Sequence, residues 1–194
     1  MKAWTIKEPG GREQLIMVDR PIPEPSENAI LIKVEATAVN RTDIMTREDQ
    51  SLTEPYPILG VEVSGIVEKE SPNHPELTKG TRVAGITDRQ SYAEYVTMDA
   101  GRAMVIPDSM SFVEAAAVPE VFLTAYQTMF WLGQLKPQET VLIHAAGSGV
   151  GTAAIQLASR KITDANIIAT AGQAHKLEMA KALGAQHVIN YKEE

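Results

Sequence analysis

The 194-residue sequence contains no cysteine. That excludes disulfide cross-links, thiolate nucleophiles and cysteine-ligated zinc of either the structural or the catalytic kind. Histidine is nearly as scarce: His74, His144, His175 and His187 are scattered without ligand spacing and read as structural or surface residues. Basic charge is in deficit, 18 Lys and Arg against 25 Asp and Glu for a net charge of -7. Nucleic acid and anionic lipid therefore find no electrostatic footprint, and a small-molecule partner is the better expectation. No run approaches the roughly 20 apolar residues of a membrane span. The opening Met1-Lys2-Ala3-Trp4-Thr5-Ile6-Lys7-Glu8 lacks the apolar core of a signal peptide, so a cytoplasmic location is expected. At 44% hydrophobic and 22% charged, what remains is ordinary globular composition, enough for one large or two small domains.

Two grammars divide the chain. Up to about residue 108 it reads as short strands separated by proline- and glycine-rich turns, the grammar of an all-β half built as a partly open barrel. The clearest strand is Ala29 to Val39, where Ile30, Ile32, Val34, Ala36 and Ala38 alternate with Leu31, Lys33, Glu35 and Thr37, the period of a half-buried strand. Others are expected at Lys2 to Ile6, Leu15 to Asp19, Gly60 to Glu68, Thr81 to Ile86 and Tyr92 to Met98. After Ile106-Pro107-Asp108, Ser111 and Glu114 form a capping box that predicts a short helix over Phe112 to Val118. Pro119 interrupts or restarts it, and a longer helix follows to Leu132, stopped by Gly133. From Thr140 strands alternate with helices: strands at Thr140 to Ala145, Asn166 to Ala171 and His187 to Tyr191, helices at Val150 to Lys161 and His175 to Leu183. Without hairpin signals this order implies parallel strands and right-handed crossovers, the first half of a dinucleotide-binding domain. The expected domains are 1–120 and 121–194.

Ala145-Ala146-Gly147-Ser148-Gly149-Val150-Gly151 lies between the first of those strands and its helix. Glycines there let backbone amides approach a pyrophosphate, and the helix N-terminus adds positive dipole. The literal G-x-G-x-x-G pattern is absent, so the weight rests on the strand-loop-helix context. At the end of the second strand, where an acid would bond a ribose 2'-hydroxyl, the sequence reads Ala169-Thr170-Ala171-Gly172. With no carboxylate to repel a 2'-phosphate and Lys176 four residues on, NADPH is favoured over NADH.

Val141-Leu142-Ile143-His144-Ala145-Ala146-Gly147-Ser148-Gly149-Val150-Gly151, Leu183-Gly184-Ala185 and Val188-Ile189-Asn190-Tyr191 resemble the quinone oxidoreductase, zeta-crystallin-like branch of the medium-chain dehydrogenase/reductase superfamily. The first half agrees in Lys7-Glu8-Pro9-Gly10-Gly11, Val39-Asn40-Arg41-Thr42-Asp43, Gly60-Val61-Glu62-Val63-Ser64-Gly65 and Ala115-Ala116-Ala117-Val118-Pro119. The resemblance implies a GroES-like barrel carrying the substrate cleft, then a Rossmann domain, with NADPH between them. It puts Asn40 and the turn holding Arg41, Asp43 and Met45 near the nicotinamide ribose, and Thr124 and Gln127 beside the nicotinamide. Ser148, Gly149 and Val150 would hold the pyrophosphate, while Gly172, Gln173, Lys176 and Tyr191 would surround the 2'-phosphate. Zinc-dependent relatives carry a cysteine ligand and a Gly-His-Glu segment where this chain has Gly60-Val61-Glu62, so no metal is expected. Where close quinone reductases place a tyrosine after the Asn-x-x-Asp turn, this chain has Ser51, with Tyr56 in a nearby loop.

The implied activity is hydride transfer from NADPH to a quinone or an α,β-unsaturated carbonyl, whose anion is delocalised as phenolate or enolate and does without a Lewis acid. Asn40, Ser51 and Tyr56 are the candidate assisting groups, and Asp43 reads as architectural rather than as a base. A non-enzymatic NADPH-binding sensor or structural module is the competing reading. Relatives tend to pair, so a homodimer is possible. A complete dinucleotide fold uses two mononucleotide halves, whereas this sequence ends just after a third strand. It therefore reads as a truncated oxidoreductase, with an apolar edge strand and weakened NADPH binding.

Overall fold

The computed structural model describes residues 1–193, and the chain divides into two compact units, Met1–Glu120 and Val121 onward. In the first, β1 (Lys2–Ile6) and β2 (Leu15–Asp19) form an antiparallel pair. The alternating stretch forms β3 (Ala29–Ala36), followed by α1 (Arg41–Glu48), β4 (Glu62–Lys69), β5 (Arg82–Ile86), β6 (Tyr95–Asp99) and a two-residue β7 (Met104–Val105). These strands make one antiparallel sheet in the order β6-β3-β4-β5-β7. Its core is the inward set the period of two selects, Ile30, Ile32, Val63, Val67, Val83, Val96 and Met98.

Two departures matter for the site. β3 stops at Ala36, three residues before the expected end, because its register with β4 shifts between Val34 and Ala36 and Val39 is exposed. The stretch expected as a turn is instead α1, so the first unit is not purely β. Asn40 and Asp43 stand in the capping-box arrangement at its start, the Asn40 N–H donating to Asp43 Oδ2 at 2.8 Å. A side-chain acceptor there satisfies an amide outside the helix's own ladder, which fixes where α1 begins.

Beyond the sheet, Ser111 and Glu114 form the expected capping box of α2 (Phe112–Ala116), and Pro119 opens α3 (Pro119–Tyr126), a first-turn position where its missing N–H is harmless. The segment Gln127–Leu132 continues as π-helix up to Gly133. The second unit holds β8 (Thr140–Ile143), α4 (Gly149–Lys161), β9 (Asn166–Ala171), α5 (Ala174–Leu183) and β10 (His187–Asn190). Its strands are parallel in the order β10-β9-β8, with consecutive strands adjacent as in the first half of a dinucleotide-binding domain. Small residues dominate its core, Ala153, Ala154, Ala158, Ala169 and Ala180 around Ile155 and Ile167. Among the described residues no helix is long and apolar enough to cross a membrane.

Candidate functional site

The glycine loop of the second unit is a tight, internally braced turn. Ala145 takes a left-handed φ of 51°, a conformation L-residues seldom adopt, and its carbonyl accepts the Ser148 N–H at 2.8 Å. Ala146 N–H donates to Thr170 O at 3.0 Å, anchoring the loop to β9. Ser148 caps α4, its Oγ accepting the Gly151 N–H at 3.0 Å. Among the described residues the N–H groups of Gly149 and Val150 have no partner, so two amides at the positive end of the helix remain available to an anion. Gly151 is obligatory for close packing: a Cβ there would lie 2.5 Å from Ala145 O and 2.8 Å from Ala146 Cα.

Beside this loop is a pocket of about 140 Å³ lined by Ala145, Gly147, Ser148, Ala171, Gly172, Lys176 and Tyr191. Four residues expected to face the pyrophosphate and 2'-phosphate, Ser148, Gly172, Lys176 and Tyr191, are thereby brought together from four different elements or loops. The Lys176 stem lies across Gly147 and the Tyr191 hydroxyl against Gly172, each filling space that a Cβ would claim. Lys176 makes no ion pair among the described residues, which leaves its ammonium uncommitted. Lys192 also reaches Gly172; sequence reasoning passed over it, although its place directly after Tyr191 was the available signal.

The remaining expected contacts are placed elsewhere. Gln173 is the exposed N-cap residue of α5. Val150 lines a larger apolar hollow of about 540 Å³ with Leu142, His144 and Thr128. Thr124 is half-buried on α3 and Gln127 exposed at the start of the π-helical segment, and neither lines that hollow or the smaller pocket.

The first unit contributes a buried polar network. Asp43, 4% exposed, accepts three hydrogen bonds: from Asn40 N–H, from the Tyr92 hydroxyl at 2.9 Å and from Gly60 N–H at 3.1 Å. Gly60 meets it with φ +93°, where a Cβ would collide with Ser91 and Tyr92. Glu62, 1% exposed, accepts the Asn40 Nδ2–H at Oε1 (2.6 Å) and the Glu120 backbone N–H at Oε2 (2.9 Å). Burial pushes the Glu62 carboxyl above its usual range, helped by the neighbouring Glu120 and Asp43 charges and opposed by those two hydrogen bonds. Burial and the bond to Asp43 push the Tyr92 phenol up as well. Glu62 is the main residue the sequence reading missed, since a glutamate opening a strand is ordinarily solvated.

Asn40, Ser51 and Tyr56 are not joined by any hydrogen bond. Ser51 is exposed, and its hydroxyl and N–H both donate to Asp49 Oδ1, at 2.7 and 2.9 Å, which holds that carboxyl below the usual range. Tyr56 is half-buried, its carbonyl accepts the Thr5 hydroxyl, and it lines a separate pocket of about 290 Å³ with Thr5, Ile6 and Pro55. Arg41 and Met45 are exposed on α1.

Residues 26–108 match the family model described as alcohol dehydrogenase GroES-like domain, and residues 149–194 that described as zinc-binding dehydrogenase. The chain is also similar to the solved quinone oxidoreductase of Coxiella burnetii, with a TM-score of 0.91 and 35% identity over 100% of this chain and 63% of that one. The chain belongs to the quinone oxidoreductase branch of the medium-chain dehydrogenase/reductase superfamily. Two further members of this branch and its neighbourhood frame it. The Escherichia coli quinone oxidoreductase, solved in complex with NADPH, gives a TM-score of 0.90 at 32% identity over 100% of this chain and 60% of that one. The mouse synaptic vesicle membrane protein VAT-1 homolog-like is 37% identical over 161 residues, 82% of this chain and 39% of that protein. The chain thus spans well under half of that curated relative and about 60% of the solved chains.

Zinc, which the second family description names, does not fit the residues of this chain. There is no cysteine, and among the described residues no group of three or more His, Asp or Glu could hold a metal ion. Both oxygens of Glu62, in the segment where zinc-dependent members carry Gly-His-Glu, are engaged by N–H donors. A dinucleotide fits the second unit better. The unpartnered loop amides, the pocket beside them and the two lysine stems at the end of β9 supply the donors and the positive charge that a phosphorylated ligand needs.

Proposed function

We propose that this chain carries the working parts of an NADPH-dependent oxidoreductase that reduces a quinone or an α,β-unsaturated carbonyl without a metal. The observation that carries the reading is the end of β9. Among the described residues no carboxylate lines it, Gly172 leaves room, and Lys176, Lys192 and Tyr191 gather around it. A 2'-phosphate is the group that such a cationic, acid-free corner selects, whereas NAD-specific members of this fold class use an acid at that point. NADPH, when bound, supplies a hydride to the acceptor. The chain's own residues hold the phosphates through the Gly149 and Val150 amides and the Lys176 ammonium, and hold the substrate side through Asn40. The NADPH complex of the E. coli relative supports the same choice of cofactor.

A quinone or enone suits a site without a Lewis acid because the negative charge formed on reduction is delocalised, so hydrogen-bond donors suffice where a simple ketone would need an ion. The test is twofold. Titration of the purified chain with NADPH and NADH should show preference for NADPH, and loss of nicotinamide absorbance should then be followed with a quinone panel and an enone panel. Equal affinity for the two dinucleotides overturns the cofactor assignment. NADPH binding with no turnover on either panel, by this chain and by a form extended to the length of its relatives, replaces the reductase reading with that of a binding module.

A further inference from the structure

Asn40 and Glu62 are 22 residues apart in sequence, yet they meet through the shortest side-chain contact of the polar network, Nδ2 to Oε1 at 2.6 Å. Glu62 has no freedom to respond to Asn40, because its other oxygen receives the Glu120 backbone N–H at 2.9 Å and its backbone carbonyl receives the Thr37 hydroxyl at 2.7 Å. A carboxylate held this way accepts on both oxygens and donates nothing, so only the nitrogen end of the Asn40 amide can face it. The oxygen end is turned to the first turn of α1, where Asn40 and Asp43 form the capping box. One Nδ2 proton is consumed by Glu62, and the second has no partner among the described residues.

We infer that Glu62 is a positioning residue that fixes the Asn40 amide one way round, so that this position offers the reactants a hydrogen-bond donor. The proposal rests on the oxidoreductase reading above, in which Asn40 meets the reactants. A donor is what that chemistry calls for, since the acceptor's carbonyl oxygen gathers negative charge as the hydride arrives. Glutamine in place of Glu62 exposes the logic. It has a single oxygen, and the Glu120 N–H, being backbone, cannot turn away from it. The glutamine amide nitrogen must then face Asn40, whose own amide turns over and presents oxygen where it had presented N–H. Shape is preserved, and only the polarity of the site changes.

The experiment has a spectroscopic and a kinetic arm, both on the whole chain. In the isotope-labelled chain the Asn40 side-chain NH2 resonances, identified by their loss in N40A, should show one proton shifted downfield and protected from exchange. In E62Q that shift and protection should vanish while the backbone spectrum persists. In the kinetic arm, E62Q should lower kcat/KM for quinone reduction roughly ten- to a hundredfold, the worth of one hydrogen bond to a charged group, mainly through kcat. Because Glu62 acts through Asn40, E62Q introduced into N40A should change kcat/KM by less than about twofold. An Asn40 amide indifferent to E62Q, or an E62Q effect equally large in the N40A background, overturns the proposal. Absence of turnover both in the unsubstituted chain and in a form extended to the length of its relatives would end the oxidoreductase reading instead, and the resonance measurement, which needs no activity, would still decide whether Glu62 orients Asn40.

Discussion

Replacing Asp43 by alanine removes the acceptor of three hydrogen bonds and leaves the N–H of buried Gly60, the N–H of Asn40 and the Tyr92 hydroxyl without a partner. The Gly60 amide is fully enclosed and takes the largest penalty, about 2–3 kcal/mol for a buried donor left unmade. Loss of the carboxylate at the α1 N-terminus adds roughly 1 kcal/mol, the usual value of a helix cap. The phenol is half-buried and can turn toward water, which limits its share to ~1 kcal/mol. Asp43→Ala should therefore destabilise the first unit by about 4–5 kcal/mol, a large part of the 5–15 kcal/mol typical of a domain. In urea, with a slope near 2 kcal/mol/M, the midpoint should fall by about 2 M. Asp43→Asn keeps one acceptor and should lose about half as much, and Tyr92→Phe no more than about 1 kcal/mol. If Asp43→Ala unfolds within about 0.5 M of the unsubstituted chain, the network does not hold the unit together, and the architectural assignment of this aspartate is wrong.

Three other outcomes follow from the same contacts. Lys176→Met keeps the stem over Gly147 but removes its charge, so NADPH should bind roughly ten- to a hundredfold more weakly while NADH affinity stays the same; parallel titrations check this, and an equal loss for both dinucleotides would refute it. Gly151→Ala sets a Cβ against Ala145 O and Ala146 Cα, backbone atoms that cannot swing aside, and should destabilise the second unit by about 1–3 kcal/mol while abolishing NADPH binding. Burial raises the Glu62 pKa, and the charges of Glu120 and Asp43 add to the shift. The folded chain therefore holds this proton more tightly than the unfolded chain, and the Glu62 contribution to stability declines as pH rises from the ordinary carboxylate range through its folded pKa. The stability difference between the unsubstituted chain and Glu62→Gln should fall across that window and level off above it; a flat or rising difference in urea melts at several pH values would contradict the assignment.

Strands of the first unit were readable because their apolar residues alternate, and the parallel second unit because Ala145 to Gly151 stands between an apolar strand and an alanine-rich helix. The helix α1 was not readable in the same way: in Arg41-Thr42-Asp43-Ile44-Met45-Thr46-Arg47-Glu48 the sole buried residue is the aspartate. Hydrophobic periodicity, the main signal for helices, is silent when a helix docks through a carboxylate. The Asn40-Asp43 spacing held the information, as a capping pattern rather than as a turn. Glu62 was hidden for a related reason: its partners lie far along the chain, at Asn40 and Glu120, and no local rule predicts that a strand-opening glutamate will be sealed by them. On the cofactor side, the acid-free strand end and Lys176 were read from position, and Gly172 and Tyr191 entered through the family resemblance, whereas Lys192, whose side chain reaches Gly172, was passed over because no motif includes it.

The order of strands in the first sheet also dictates when that unit can be finished as the chain leaves the ribosome. β3 is flanked by β4 and β6, with Lys33 paired to Tyr95 and Ala29 to Asp99, so one side of this central strand stays open until Asp99 has been made. The second unit has no such delay, because β8 pairs with β9 and β9 with β10 across single helical crossovers. Slow, long-range closure comes first in synthesis and quick, local closure second. The interval with Ile30 and Ile32 beside an unpaired edge is when this chain is most exposed to aggregation, and substitutions that slow β6 docking would reduce yield in cells before they changed any property of the folded protein.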